Sequence, residues 1–243
     1  MDILILFENS LLFRLVLLFV VGSCIGSFLN VVIFRLPIIL ERKWRRSAAD
    51  ILDIQYIKLD PFTDKFNLLI PSSQCFACKD NVPFWFNIPI IGYILSGGKC
   101  SKCKAKYSLQ YPLVELLTAI LFVLTGYFTN DIYLIIMQVI FISIVLCGIF
   151  IDFNTFYLPD EITLPLLWGG LLVNLHGAIA GSLIRAVLGC VVGYLLLWSI
   201  YWIFKLITKR EGMGYGDFKF LAAILAWIGL NGFIPVLFLA PAL

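Results

Sequence analysis

Seven apolar stretches, set apart by short polar breaks and one long polar loop, organise this chain. They run Leu11–Phe34, Leu113–Phe128, Ile132–Ile151, Ile162–Leu175, Leu183–Phe204, Phe218–Leu230 and Phe233–Leu243. A helix needs about 20 apolar residues to cross the hydrocarbon core of a bilayer. The first, third and fifth stretches reach that length unaided, and Leu113–Phe128 does so with Tyr111 and Pro112. Ile162–Leu175 and Phe218–Leu230 are short, and are predicted as helices shielded from lipid by their neighbours. The last stretch stops after 11 residues, too few to cross, so the C-terminus reads as incomplete. The first is too long for the apolar region of a signal peptide and lacks a small-residue cleavage site. It reads as a retained first span. The pattern predicts an all-α polytopic membrane protein with about six to seven transmembrane helices.

Composition agrees. The chain is 61% hydrophobic and 14% charged, against about 25% charged residues in soluble domains, and its mean hydropathy is +0.99. The net charge of +3 is small, and no nucleic-acid partner is expected. The distribution of charge is more informative. Of 18 Lys and Arg residues, 12 lie between Arg35 and Lys106. The positive-inside rule places that loop in the cytoplasm. Counting spans onward then puts Thr129–Asp131 outside, Asp152–Glu161 inside, His176–Ser182 outside and Lys205–Asp217 inside. The second basic cluster, Lys205, Lys209 and Arg210, thus falls on the cytoplasmic side independently.

The loop, residues 35–111, divides in two. Ile38–Leu69 lacks clear periodicity and reads as irregular with some helix. Then come Cys75-Phe76-Ala77-Cys78 and, after 21 residues, Cys100-Ser101-Lys102-Cys103. Paired C-x-x-C knuckles at this spacing point to a tetrahedral four-thiolate zinc site. Each knuckle supplies two sulfurs from one turn, and an intervening hairpin would bring the turns together. Lys79, Lys99, Lys102 and Lys104 would offset the negative charge. Four ligands leave no position for water, so the role would be structural. Two disulfides or four free thiols are the competing readings, and a reducing cytoplasm disfavours the disulfides. Cys24, Cys147 and Cys190 fall within spans and read as small apolar fillers. Val82–Leu95, between the knuckles, is apolar for a loop. It fits either a contact with the bilayer surface or packing against the helices.

Two carboxylates stand at the edges of apolar stretches. Asp152 ends the third, and Asp217 follows Gly214-Tyr215-Gly216 and precedes Phe218-Lys219. A carboxylate at membrane depth costs roughly 2.5–3.5 kcal/mol on insertion scales. Asp160, in Leu158-Pro159-Asp160-Glu161, suits a helix N-cap. Asp152 has no such role. For Gly214–Lys219 the bland reading is a flexible turn with Lys219 reaching the phosphates. Charge counting puts Asp152 and Asp217 on one side of the membrane. Two facing aspartates would share a proton, one acting as base on a water and the other polarising a peptide carbonyl. That chemistry needs no metal. His176 falls on the opposite side, and no serine sits in a nucleophile-elbow motif.

At this point the chain resembles the bacterial type IV prepilin peptidases, the bifunctional leader peptidase/N-methyltransferases, over nearly its whole length. The resemblance is carried by Gly26-Ser27-Phe28-Leu29-Asn30-Val31-Val32-Ile33-Phe34-Arg35-Leu36-Pro37 and by the two knuckles. Asn87-Ile88-Pro89, Gly98-Lys99, Tyr111-Pro112-Leu113-Val114-Glu115, Leu158-Pro159-Asp160 and the G-x-G-D-x-K stretch ending at Lys219 complete it. It implies that Asp152 and Asp217 are the catalytic pair of an inner-membrane protease. Such an enzyme cuts the leaders of prepilins and type II secretion pseudopilins after a glycine, on the cytoplasmic side. It then methylates the new N-terminal residue, usually phenylalanine, from S-adenosylmethionine. The substrate's apolar stem explains why the protease sits among membrane lipids. Phe76 stands where the family often has proline, and the chain ends earlier than the family leads one to expect.

No Gly-rich motif marks a methyl-donor site. Asn30, Arg35 and Glu115, polar residues at span edges, are candidates, with helix-end anchoring and interhelical hydrogen bonding as their structural roles. The expected organisation is a first span over 1–34, a zinc loop over 35–111 and a peptidase domain over 112–243. Competing functions are a peptidase without methylation, a proton-coupled carrier using the aspartates as a relay, and a zinc-stabilised membrane scaffold.

Overall fold

The computed structural model describes residues 3–52, 66–210 and 212–233. Among them the fold is all-helical, the extended structure being two isolated bridges, Gln74 with Asn81 and Lys99 with Lys106. Eight α-helices follow in order: α1 Ile3–Asn9, α2 Leu11–Ile51, α3 Ile91–Ser96, α4 Gln110–Phe128, α5 Ile132–Thr155, α6 Asp160–Val173, α7 Leu183–Thr208 and α8 Tyr215–Ile228. Of these, α2, α4, α5 and α7 are long and apolar enough to cross a membrane. Helices α6 and α8, at 14 residues each, would extend only about 21 Å. The stretch from Ile234 onward lies outside the described residues.

Contacts divide the chain into two compact units, residues 1–130 and 131–243. In the first, α2 packs on α4. The seam is a Gly-x-x-x-Gly pair, Gly22 and Gly26. A Cβ at Gly22 would lie 2.7 Å from Ala119 Cα, and one at Gly26 would lie 2.7 Å from Glu115 Cα. Lipid offers no hydrophobic drive for helix association, so such backbone approach supplies the van der Waals contact instead. Arg14, buried in this unit, donates from Nε to the Gly126 carbonyl at 2.8 Å and from Nη1 to Phe7 at 3.0 Å. Helix α4, expected with the peptidase half, therefore packs within the N-terminal unit.

Helix α2 runs well past the predicted end of its apolar stretch, through Pro37 to Ile51. Of the stretch read as irregular with some helix, the part up to Ile51 is thus helical. Leu40, Arg42 and Ala49 carry a buried stripe onward, and Glu41 pairs with Arg45 one turn away at 2.5 Å. The remainder of that stretch, 53–65, lies outside the described residues.

In the second unit α8 is the hub, packed on α6 and α7. It presents Ala222, Ala223 and Ala226, all buried. A second Gly-x-x-x-Gly pair on α7 receives it: a Cβ at Gly189 would lie 2.7 Å from the Leu225 carbonyl, and one at Gly193 would lie 2.7 Å from Leu225 Cδ1. The fully buried Asn174, in the turn after α6, clamps the far end. Its amide donates to Gly170, Ala226 and Trp227 carbonyls at 3.0, 3.1 and 2.9 Å, and its oxygen accepts from Ile179 and Ala180. Such a buried amide is tolerated because its donors and acceptor are all met. The two short helices are thus held by protein, as their length requires.

Candidate active site and cysteine centre

The cysteine centre belongs to the N-terminal unit. Both knuckles close in the same way. Cys75 N–H donates to Asp80 and Lys79 N–H back to Cys75, each at 2.9 Å; Cys100 N–H donates to Ala105 at 2.9 Å and Lys104 N–H to Cys100 at 3.1 Å. Lys79 and Lys104, each directly after a knuckle's second cysteine, take positive φ, 59° and 60°. The four Sγ atoms lie within 4.8 Å of one another, with Cys75 and Cys103 3.6 Å apart and Cys78 and Cys100 3.9 Å apart. Tetrahedral Zn–S bonds of ~2.3 Å put sulfurs about 3.8 Å apart, so the cluster fits a metal ion of that size. All four cysteines are free. Backbone N–H groups of Cys103 and Lys102 aim at Cys100 and hold its thiol down, while burial and the neighbouring cysteines push Cys78 up.

No β-hairpin joins the knuckles, contrary to expectation. A 3-10 turn, Phe84–Asn87, and α3 connect them. Of the lysines expected to offset the thiolates, Lys102 pairs with Asp80 at 2.8 Å and also feels the charges of Cys78 and Cys100. The apolar linker keeps Phe84, Trp85, Ile91, Ile94 and Leu95 exposed, while the Ile90 N–H donates to Glu115 at 2.6 Å.

The carboxylate site belongs to the second unit. Asp152 lies in the last turn of α5, which ends at Phe156 in the left-handed region. Asp217 lies in the first turn of α8, behind Gly214. Both line one cavity of about 470 Å³, with Tyr157, Met213, Tyr215 and Lys219, and the charge of Asp152 acts on Asp217. Sixty-five positions apart in sequence, the pair is brought together by Gly216. A Cβ there would lie 2.9 Å from Leu158 Cβ and 3.2 Å from the Leu158 carbonyl oxygen. Only glycine lets the start of α8 approach the α5–α6 connection so closely.

Two further features hold the site, and neither was read from sequence. Tyr201, Tyr215 and Phe218 form a ring triangle with centroids 5.4, 5.6 and 5.5 Å apart, fastening the glycine segment to α7. The signal available was an aromatic residue near the end of the fifth apolar stretch. Asp160 is not an N-cap: Pro159 takes that position, with no side-chain bond. Its carboxylate instead receives the Lys219 ammonium at 2.6 and 2.9 Å. Lys219 therefore ties α8 to α6.

The remaining expected residues fall elsewhere. Asn30, Arg35 and Glu115 line a second cavity, of about 360 Å³, in the N-terminal unit. Asn30 donates to the Tyr111 carbonyl at 3.0 Å, an α2–α4 bond. Arg35 donates to carbonyls of Asn67, Leu68 and Pro71. His176 sits in the 3-10 turn Asn174–His176 and lines neither cavity.

Residues 20–129 match the bacterial peptidase A24 N-terminal domain, and residues 139–243 match the type IV leader peptidase family. The chain belongs to the type IV leader peptidase family. The junction between the two matches brackets the division between the compact units at 130/131. A relative from Neisseria gonorrhoeae is 43% identical to this peptidase over 92% of the chain and 77% of its own length. One from Aeromonas hydrophila is 44% identical over 96% and 78%, and one from Stutzerimonas stutzeri 45% identical over 91% and 75%. Each is a prepilin leader peptidase/N-methyltransferase. No solved structure matches the peptidase at a significant level.

Proposed function

We propose that this peptidase removes the leader of type IV prepilins and type II secretion pseudopilins by a two-aspartate mechanism, then methylates the exposed amine. The observation that carries the reading is the convergence of Asp152 and Asp217 on one cavity from the ends of separate helices. An ionised aspartate takes a proton from water as the oxygen attacks the scissile carbonyl. The protonated partner hydrogen-bonds the developing oxyanion, and a proton passes to the leaving amine. Tyr157 and Tyr215 on the cavity wall offer flat apolar surface to the substrate stem. The scaffold reading gives the aspartate pair no role, and a carrier with the aspartates as its relay gives the glycine segment beside them none. Asp152→Asn or Asp217→Asn, assayed on a prepilin in membranes, tests the assignment; retained cleavage in either would sink it.

For the second step, S-adenosylmethionine supplies an activated methyl group when bound. The amine freed by cleavage would be the group that receives that methyl, giving up one proton to solvent. The product is heavier by one CH2, which mass measurement of the mature pilin detects with and without the donor. A product of unchanged mass would reduce the activity to cleavage.

Cys75, Cys78, Cys100 and Cys103 would hold Zn2+ with four thiolates and no open position, ordering the loop rather than reacting. The loop and both aspartates face the cytoplasm of the inner membrane on the charge count. The division of labour follows the units: residues 131–243 cleave, and residues 1–130 carry the knuckles and the methyl transfer.

A further inference from the structure

The cavity beside α2 in the N-terminal unit contains an uncommon combination of groups. Glu115 is only 8% exposed, accepts the Ile90 N–H at 2.6 Å and a bond from Ser27, and meets no cation among the described residues. A buried carboxylate without a counter-charge is costly, and it lines an open cavity of about 360 Å³, within the usual range for small-molecule sites. The walls are aromatic: Phe34 and Phe76 meet edge to face at 4.8 Å, and Phe86 and Tyr93 also line the space. Lys79, exposed and without a partner among the described residues, stands on the lining with its ammonium uncommitted.

We infer that this cavity binds S-adenosylmethionine, its sulfonium facing Glu115, its adenine among the aromatic rings and its carboxylate toward Lys79. The inference rests on the methylation half of the proposed function. A cation that is poorly hydrated matches a buried carboxylate and aromatic faces, a purine matches flat apolar walls, and an α-carboxylate matches a lysine. Next to the wall, Ile90 holds a positive φ of 61°, an outlier for a β-branched residue, and its N–H is held by the Glu115 carboxylate.

Glu115→Gln separates that bond from the charge, because the amide oxygen still accepts the Ile90 N–H while the charge is gone. Calorimetry on the full chain in detergent would compare S-adenosylmethionine with S-adenosylhomocysteine, which lacks the sulfonium charge. The expected result is a Kd for S-adenosylmethionine raised about tenfold or more, with much less change for S-adenosylhomocysteine. Equal loss for both ligands, or no loss, overturns the inference. Irradiation of the wild-type protein with methyl-labelled S-adenosylmethionine, followed by peptide mapping, does not depend on how the variant folds. Label within 27–38 or 71–115 supports the cavity, and label confined to 131–233 overturns it. A wild type that binds no donor and leaves a cleaved pilin unmethylated would remove the methylation reading itself. A wild type that methylates yet labels elsewhere would remove only this cavity.

Discussion

The two units solve one packing problem and then diverge. Each joins two helices through a Gly-x-x-x-Gly seam, Gly22/Gly26 against α4 and Gly189/Gly193 against α8. In the N-terminal unit both partners are long enough to cross a membrane by themselves, and the loop between them gathers four cysteines. In the C-terminal unit one partner, α8, is a 14-residue helix, and the Asp217 carboxylate sits in its first turn. A helix too short for lipid must be enclosed by protein, and enclosure makes its N-terminus a fixed point. Order therefore comes from helix packing in one unit and from a four-cysteine cluster in the other. The two cavities share no lining residue, so the two activities should be separable.

Asp152→Asn or Asp217→Asn breaks the comparison most sharply. Cleavage should fall by about 10³-fold or more, while methylation of a pilin already lacking its leader stays at the wild-type rate; both are read by mass spectrometry. Equal loss of the two activities would show that the units do not work apart. Cys100→Ser inverts the pattern. Metal content, by atomic absorption, should drop to background, and methylation should fall before cleavage does, since structural zinc contributes on the order of 10 kcal/mol to its fold.

Gly216→Ala tests the close approach itself. Its methyl would press on Leu158 at 2.9 Å, and overpacking of this kind costs about 1–3 kcal/mol. A shift of about 1 Å at a catalytic group can cost 10²-fold, so cleavage should fall by about that factor with donor binding unchanged. Unaltered cleavage would mean that the glycine is dispensable. The smallest effect belongs to Lys219→Met. The Asp160–Lys219 pair has side chains 51% and 37% exposed, and exposed pairs contribute about 0–1 kcal/mol. Cleavage should slow by less than about fivefold, and the wild-type advantage should shrink as salt rises. A loss as large as that of the aspartate variants would mark Lys219 as part of the chemistry.

Much of this was legible in sequence for identifiable reasons. Apolar length located the four long helices, because lipid demands it, and C-x-x-C spacing located the cysteine cluster, because a tetrahedral ion needs four sulfurs from two turns. The end of α2 was not legible. Its apolar run stops near Pro37, and what continues the helix is a buried stripe of Leu40, Arg42 and Ala49 that only their packing partners explain. Asp160 was misread for a related reason: a carboxylate before an apolar helix is a cap by local rules, and Lys219, 59 positions away, overrides them.

By itself the sequence determined the class of molecule, the long helices and the four cysteines that cluster. These depend on composition and local spacing. Tertiary structure alone decided that Asp152 and Asp217 share a cavity, that Glu115 lies buried with no counter-ion among the described residues, and that Asp160 holds Lys219. Each depends on backbones brought within van der Waals contact at glycines, and contacts between residues far apart in the chain leave no periodicity to read.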